Sequence, residues 1–191
     1  KNYKKNLELL KKNYVYSDEM EHDACGVGAI VSTEGKKSRT IVDYGIEALK
    51  AVWHRGAVDA DGKTGDGAGI HLEIPKDFFI EKIEVTGHDY DHAEICVGMI
   101  FLPKNDYSAQ ESCKTIVESE LTKNDFSIYG WRQVPVNSKI LGQKAFQTMP
   151  EILQVLFKSN DKNLLDKELE RKIYETRKKI ENKAFQLSLN N

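Results

Sequence analysis

The sequence predicts an α+β domain. Residues 25–32 and 68–74 alternate at the period of a strand. Residues 40–53 and 162–182 repeat apolar positions at helical spacing. Strands at 126–134 and 151–157 follow one another directly, which favours α+β layering over a regular βαβ sheet.

In chain order, residues 1–20 are rich in Lys, Asn and Tyr, weakly amphipathic, and read as a leader or mobile arm. At 25–32, Val27, Ala29 and Val31 share one side of a strand, with glycines where another backbone can come close. Ile41, Ile46, Leu49 and Val52 give 40–53 the apolar face of a helix. Residues 55–67 are dense in glycine and aspartate and form a loop. The strand at 68–74 places Ile70, Leu72 and Ile74 on one side, and Pro75 ends it. Residues 94–102 are apolar almost throughout, which predicts a strand buried on both faces. Ala109, Cys113, Ile116, Val117 and Leu121 mark a helix, with Ser108 and Glu111 as its capping box. The long charged helix at 162–182 has Leu165, Leu169, Ile173, Thr176 and Ile180 along one stripe, and a last strand begins at Phe185.

Composition narrows the classes. The 191 residues are 40% hydrophobic and 30% charged, an ordinary globular mix. Lys and Arg total 28 against 30 Asp and Glu, a net charge of −2, so no nucleic-acid partner and no anionic membrane surface is expected. No apolar run reaches the roughly 20 residues a membrane helix needs, and the Lys-rich start lacks the apolar core of a secretory signal. The cysteines number 3 and show no framework spacing, which fits a reducing cytoplasm. Cys96 and Cys113 fall on apolar patterns, as buried thiols do. The five histidines and the cysteines show no metal-ligand spacing.

Two strings carry chemistry. The first is Met20-Glu21-His22-Asp23-Ala24-Cys25-Gly26-Val27-Gly28. Cys25 reads either as a small strand residue or as a nucleophile. Freed as an N-terminus, it would have its own α-amine as base, with a pKa of roughly 7.7–8.0. The second string runs from His54-Arg55-Gly56-Ala57 through Ala60-Asp61-Gly62-Lys63-Thr64-Gly65-Asp66-Gly67-Ala68-Gly69. Gly62-Lys63-Thr64 invites a P-loop reading, but position 57 is alanine where the motif needs its first glycine. The segment also runs from helix to strand, the reverse of a P-loop. Arg55 alone reads equally as a cation at the end of helix 40–53.

Together these strings resemble the start of a class II glutamine amidotransferase domain, of the kind at the N-terminus of glutamate synthase large subunits. Ile74-Pro75-Lys76-Asp77-Phe78-Phe79, Val97-Gly98-Met99-Ile100-Phe101-Leu102, Gly130-Trp131-Arg132-Gln133-Val134-Pro135, Leu141-Gly142 and Arg171-Lys172-Ile173-Tyr174 are similar to later family segments, in order. The resemblance implies an N-terminal-nucleophile fold, a layered αββα sandwich incomplete at its C-terminal end. It implies a propeptide over 1–24 and a partial amidotransferase domain over 25–191. It assigns Cys25 as the catalytic nucleophile, supported by Arg55, Gly56 and Asp66. The substrate it implies is glutamine, hydrolysed to glutamate and ammonia, with the ammonia passing to 2-oxoglutarate at a downstream flavin domain.

The resemblance also places FMN and an iron–sulfur cluster in the remainder of the subunit, none in this segment. Partners would be the other domains of the subunit and a small reductase subunit or ferredoxin. The location would be the cytoplasm, or the plastid in a photosynthetic eukaryote. The family's oxyanion hole uses an Asn-Gly pair, and no Asn-Gly occurs in the sequence. Residues 1–191 alone are therefore expected to be inactive. Two other readings stay open, a purine- or hexosamine-type class II amidotransferase and a non-catalytic regulatory or interaction module. The long Thr-Gly-Asp-Gly insertion after His-Arg-Gly argues against the first.

Overall fold

The computed structural model describes residues 2–13, 26–53, 56–65, 67–164 and 166–189. Chain contacts divide it into two units, Lys1–Asp59 with Gly65–His71, and Ala60–Thr64 with Leu72–Asn191.

In the first unit, helix α1 (Asn2–Asn13) occupies part of the segment expected as a leader or arm. It contains no glycine, proline or β-branched residue, and Lys11 and Lys12 complement the negative end of its dipole. Helix α2 (Arg39–Ala51) forms where its apolar spacing predicts, steadied by an i,i+4 pair between Arg39 and Asp43 at 2.9 Å. Gly45 leaves room for Ile70, since a Cβ there would lie 2.9 Å from the Ile70 Cδ1.

The strands expected at 25–32 and 68–74 are not strands over their described residues. Neither 26–32 nor 67–74 joins a β-ladder. Val27 stays 91% exposed and Val31 72%. Alternation prepares a face, but only a neighbouring backbone makes a strand, and none of the described segments pairs with these two.

The second unit is built on a three-stranded antiparallel sheet ordered β1-β3-β2, with β1 Cys96–Leu102, β2 Phe126–Gln133 and β3 Glu151–Ser159. Val155 and Phe157 of β3 face helices α4 (Tyr107–Lys123) and α6 (Asp166–Leu189), where Val117, Leu121, Leu169, Ile173 and Ile180 meet them. Leu156 faces the other way, onto Phe79 and Ile83 of helix α3 (Lys76–Val85). The result is one sheet with helices on both faces, consistent with an α+β class.

A bulge between Ile128 and Gly130 shifts the β2 register, so Ile128 and Trp131 share the α4/α6 face while Tyr129 enters the α3 side. Gly130 has φ +150, and a Cβ there would lie 2.7 Å from Thr86 Cγ2. The single hydroxyl proton of Thr86 is shared between the Ile83 carbonyl at 2.6 Å and the Tyr129 carbonyl at 2.8 Å, tying the end of α3 to the bulge.

Several expectations need correction here. Strand β1 is an edge strand, not one buried on both faces, with Met99 47% and Phe101 63% exposed. Helix α4 is capped by Asp106, whose side chain accepts from Ala109 N at 2.9 Å, so Ser108 lies inside the helix and not at its cap. Residues 185–189 are no strand, because α6 continues to Leu189 through a run without glycine or proline. Helix α3 has no counterpart among the expected elements. Its Phe79 and Ile83, four apart, form the buried stripe.

Candidate active site

Of the residues that the sequence marks for chemistry, Cys25, Arg55 and Asp66 lie outside the described residues, and Gly56 lies within them. The loop that carries three of the four in sequence is described over 56–65. It begins with a turn in which Gly56 N donates to the Trp53 carbonyl at 3.0 Å. A Cβ at Gly56 would sit 3.3 Å from that same oxygen, tighter than ordinary contact. Val58 and Gly65 then form an isolated antiparallel bridge, so the segment returns on itself.

The tip between them, Ala60–Thr64, belongs to the second unit. Asp61 organises it. Its Oδ1 accepts the backbone N–H of Lys63 at 2.9 Å and of Thr64 at 2.7 Å, and its Oδ2 accepts the Thr64 hydroxyl at 2.6 Å. This is an Asx turn reinforced by a threonine, and Gly62 supplies the left-handed residue it needs, with φ +68. The backbone N–H of Gln143 also donates to the Asp61 carboxylate. The Thr64 hydroxyl first, then these backbone donors, lower the Asp61 carboxyl to about 2. Asp61 is therefore a fixed anion near neutral pH, an acceptor and not a proton carrier.

Gly142 sits directly against this tip. It caps the short helix α5 (Gln143–Thr148) with an ordinary φ of −69, so its backbone does not demand glycine. The space does. A Cβ would collide with Thr64 Oγ1 and Asp61 Oδ2 and would lie 2.6 Å from Thr64 N.

The described thiols are Cys96 and Cys113, neither in a disulfide. Cys96 is 5% exposed, and burial above all pushes its thiol up to about 12, with Glu94 and Glu170 adding to the effect. It is protonated at neutral pH and unsuited to attack. Cys113 is half-buried on α4, less covered than its apolar spacing suggests. Among the described residues no group of three or more His, Cys, Asp or Glu could hold a metal ion, so no iron–sulfur ligand set is found there.

A second charged cluster lies in the other part of this unit. Tyr129 Oη donates to Asp91 Oδ1 at 2.6 Å, and Lys158 Nζ pairs with Asp91 Oδ2. Lys158 first and Tyr129 second hold the Asp91 carboxyl well below the usual carboxylate range. Burial first, and Asp91 next, raise the Tyr129 hydroxyl above its ordinary value. Asp91 is thus an anion and Tyr129 a neutral donor near neutral pH, and the cluster pins the segment before β1 onto β2 and β3. The adjacent cleft measures about 240 Å³, smaller than the roughly 300 Å³ at which ligand pockets begin.

Sequence reasoning singled out the loop but gave Asp61 and Thr64 no role within it, and it placed Gly142 only in a family-like segment. The Asp-x-Lys-Thr spacing is a local signal that could have found the turn. The approach of Gly142 is non-local and leaves no such signal.

A family model for class II glutamine amidotransferases matches residues 25–191. The chain is 50% identical over 179 residues to the glutamate synthase [NADPH] large chain of Azospirillum brasilense, covering 94% of this chain and 12% of that protein. It is 40% identical over 162 residues to ferredoxin-dependent glutamate synthase 1, chloroplastic/mitochondrial, of Arabidopsis thaliana, covering 84% of this chain and 10% of that one. The ferredoxin-dependent glutamate synthase of Pyropia yezoensis is 38% identical over 174 residues, with 91% and 11% covered. The chain thus spans about a tenth of the length of these relatives.

Proposed function

Because the chain belongs to the class II glutamine amidotransferases, we propose that it carries the glutaminase half-reaction of a glutamate synthase large subunit. One observation bears most of this reading. The family match begins at Cys25 itself, the residue the sequence marks as nucleophile. The burial of Cys96, whose thiol stays protonated, supports the same choice by removing a competitor.

In this reading residues 1–24 are a propeptide, and their removal turns the Cys25 nitrogen into a free amine. That amine takes the thiol proton as Sγ attacks the side-chain amide carbon of glutamine. The C–N bond breaks, the proton passes to the leaving nitrogen, and ammonia departs from a γ-glutamyl thioester. Water then adds with the amine again as base, the C–S bond breaks, and glutamate leaves. General-base help of this kind contributes about a hundred- to ten-thousand-fold in rate. Arg55, Gly56 and Asp66 support the site, with Arg55 orienting the cysteine end and favouring negative charge on sulfur.

Beyond this segment, ammonia would condense with the keto group of 2-oxoglutarate with loss of water, and two-electron reduction of that imine would give glutamate. FMN and an iron–sulfur cluster in other domains of the subunit would supply the electrons, drawn from ferredoxin or a small reductase subunit. Among the described residues no helix is long and apolar enough to cross a membrane. The reading places the subunit in the cytoplasm, or in the plastid of a photosynthetic eukaryote.

The test is Cys25→Ala in the full-length subunit. Glutamine-dependent activity should fall by about a thousandfold or more, while ammonia-dependent glutamate formation persists. Continued glutamine hydrolysis by the variant would overturn the reading.

A further inference from the structure

We propose that Asp61, Thr64 and Gly142 form a latch that positions the active-site loop, making Asp61 a positioning residue for glutamine hydrolysis. The inference rests on the glutaminase reading, because it takes Arg55 and Asp66 as the groups that the loop presents.

Two independent features support it. The first is the density of bonds on one side chain. Asp61 accepts from Lys63 N, Thr64 N and Thr64 Oγ1 at 2.6–2.9 Å, and from the Gln143 backbone as well. The turn is thereby closed on itself and held to the first residue of α5. The second is the vacant Cβ position at Gly142. Its backbone conformation suits any residue, yet the loop tip fills the space a side chain would take. A loop that merely passed by would not demand glycine there.

The placement in sequence gives the latch its consequence. Asp61 follows Arg55 by six positions and precedes Asp66 by five. Asp61 and Thr64 belong to the same unit as Gly142. Glycines at 56, 62, 65 and 67 would otherwise give this loop wide backbone freedom. Fixing its tip removes much of that freedom before substrate arrives. A displacement of about 1 Å in a positioning group can cost on the order of a hundredfold in rate.

The experiment uses the full-length subunit and three single variants, Asp61→Ala, Asp61→Asn and Gly142→Ala, with the Asp61→Ala/Gly142→Ala double variant. Asp61→Asn keeps one side-chain oxygen for the turn but loses the second acceptor. Both alanine variants should lower kcat for glutamine about tenfold or more, with a smaller change in KM, when assayed well below the unfolding midpoint of each variant. The double variant should lose little more than either single one, since both break the same contact. Asp61→Asn should fall between parent and Asp61→Ala. Trypsin cleavage after Lys63 in the native protein should speed up in both alanine variants, a readout independent of glutamine chemistry.

Unchanged cleavage and parental kcat in both alanine variants would overturn the latch. So would additive losses in the double variant, or losses that appear only near the unfolding midpoint. Cys25→Ala, run alongside, separates the two claims. If that variant hydrolyses glutamine, the glutaminase reading fails while trypsin sensitivity still reports on the latch.

Discussion

A thiol's reactivity depends on whether its anion can be solvated or paired. Cys96 has neither, since it is 5% exposed, packed between sheet and helices, and pushed up to about 12. Cys96→Ala should therefore cost about 1 kcal/mol of stability, read by denaturant unfolding, and leave glutamine turnover unchanged. Asp61 is the opposite case. Its donors favour the anion, so its folded pKa of about 2 lies below the ordinary 3.8. The stability it contributes is present above pH 3.8 and disappears as the pH falls through about 2. An NMR titration of the Asp61 carboxyl should give a midpoint near 2 in the parent. In Thr64→Val it should rise toward 3.8, because the Thr64 hydroxyl is the largest cause of the shift.

Elements were legible where local pattern and tertiary demand agree. Helix α2, the bodies of α4 and α6, and strands β2 and β3 stand at the positions their periodicities predict. Residues 26–32 and 67–74 have the alternation without a ladder, because pairing is decided by backbone far away in sequence. Phe185–Leu189 looked like a strand on its own alternation, but nothing there breaks the helix already running. The β2 bulge was also hidden. Only the contact of Gly130 with Thr86 reveals why two odd-spaced residues share a face. Gly130→Ala meets both a φ of +150 and the Thr86 methyl. It should destabilise the second unit by about 1–3 kcal/mol, measured as a shift in the denaturant midpoint with an unchanged slope. Within the candidate site, the glycine turn at 56 was legible as a loop, and the Asp61–Gly142 approach was not.

At the scale of the whole molecule, the family match covers residues 25–191 and so takes in both units. Glutamine hydrolysis by this domain depends, in the proposed reaction, on Cys25. The most direct measurement treats the native full-length subunit with a glutamine analogue bearing an electrophilic side chain, then maps the modified peptide by mass spectrometry. Glutamine-dependent activity should be lost in step with one label per chain, on a peptide whose first residue is Cys25. A label on Cys96 or Cys113, or full labelling of Cys25 with glutamine turnover intact, would contradict it.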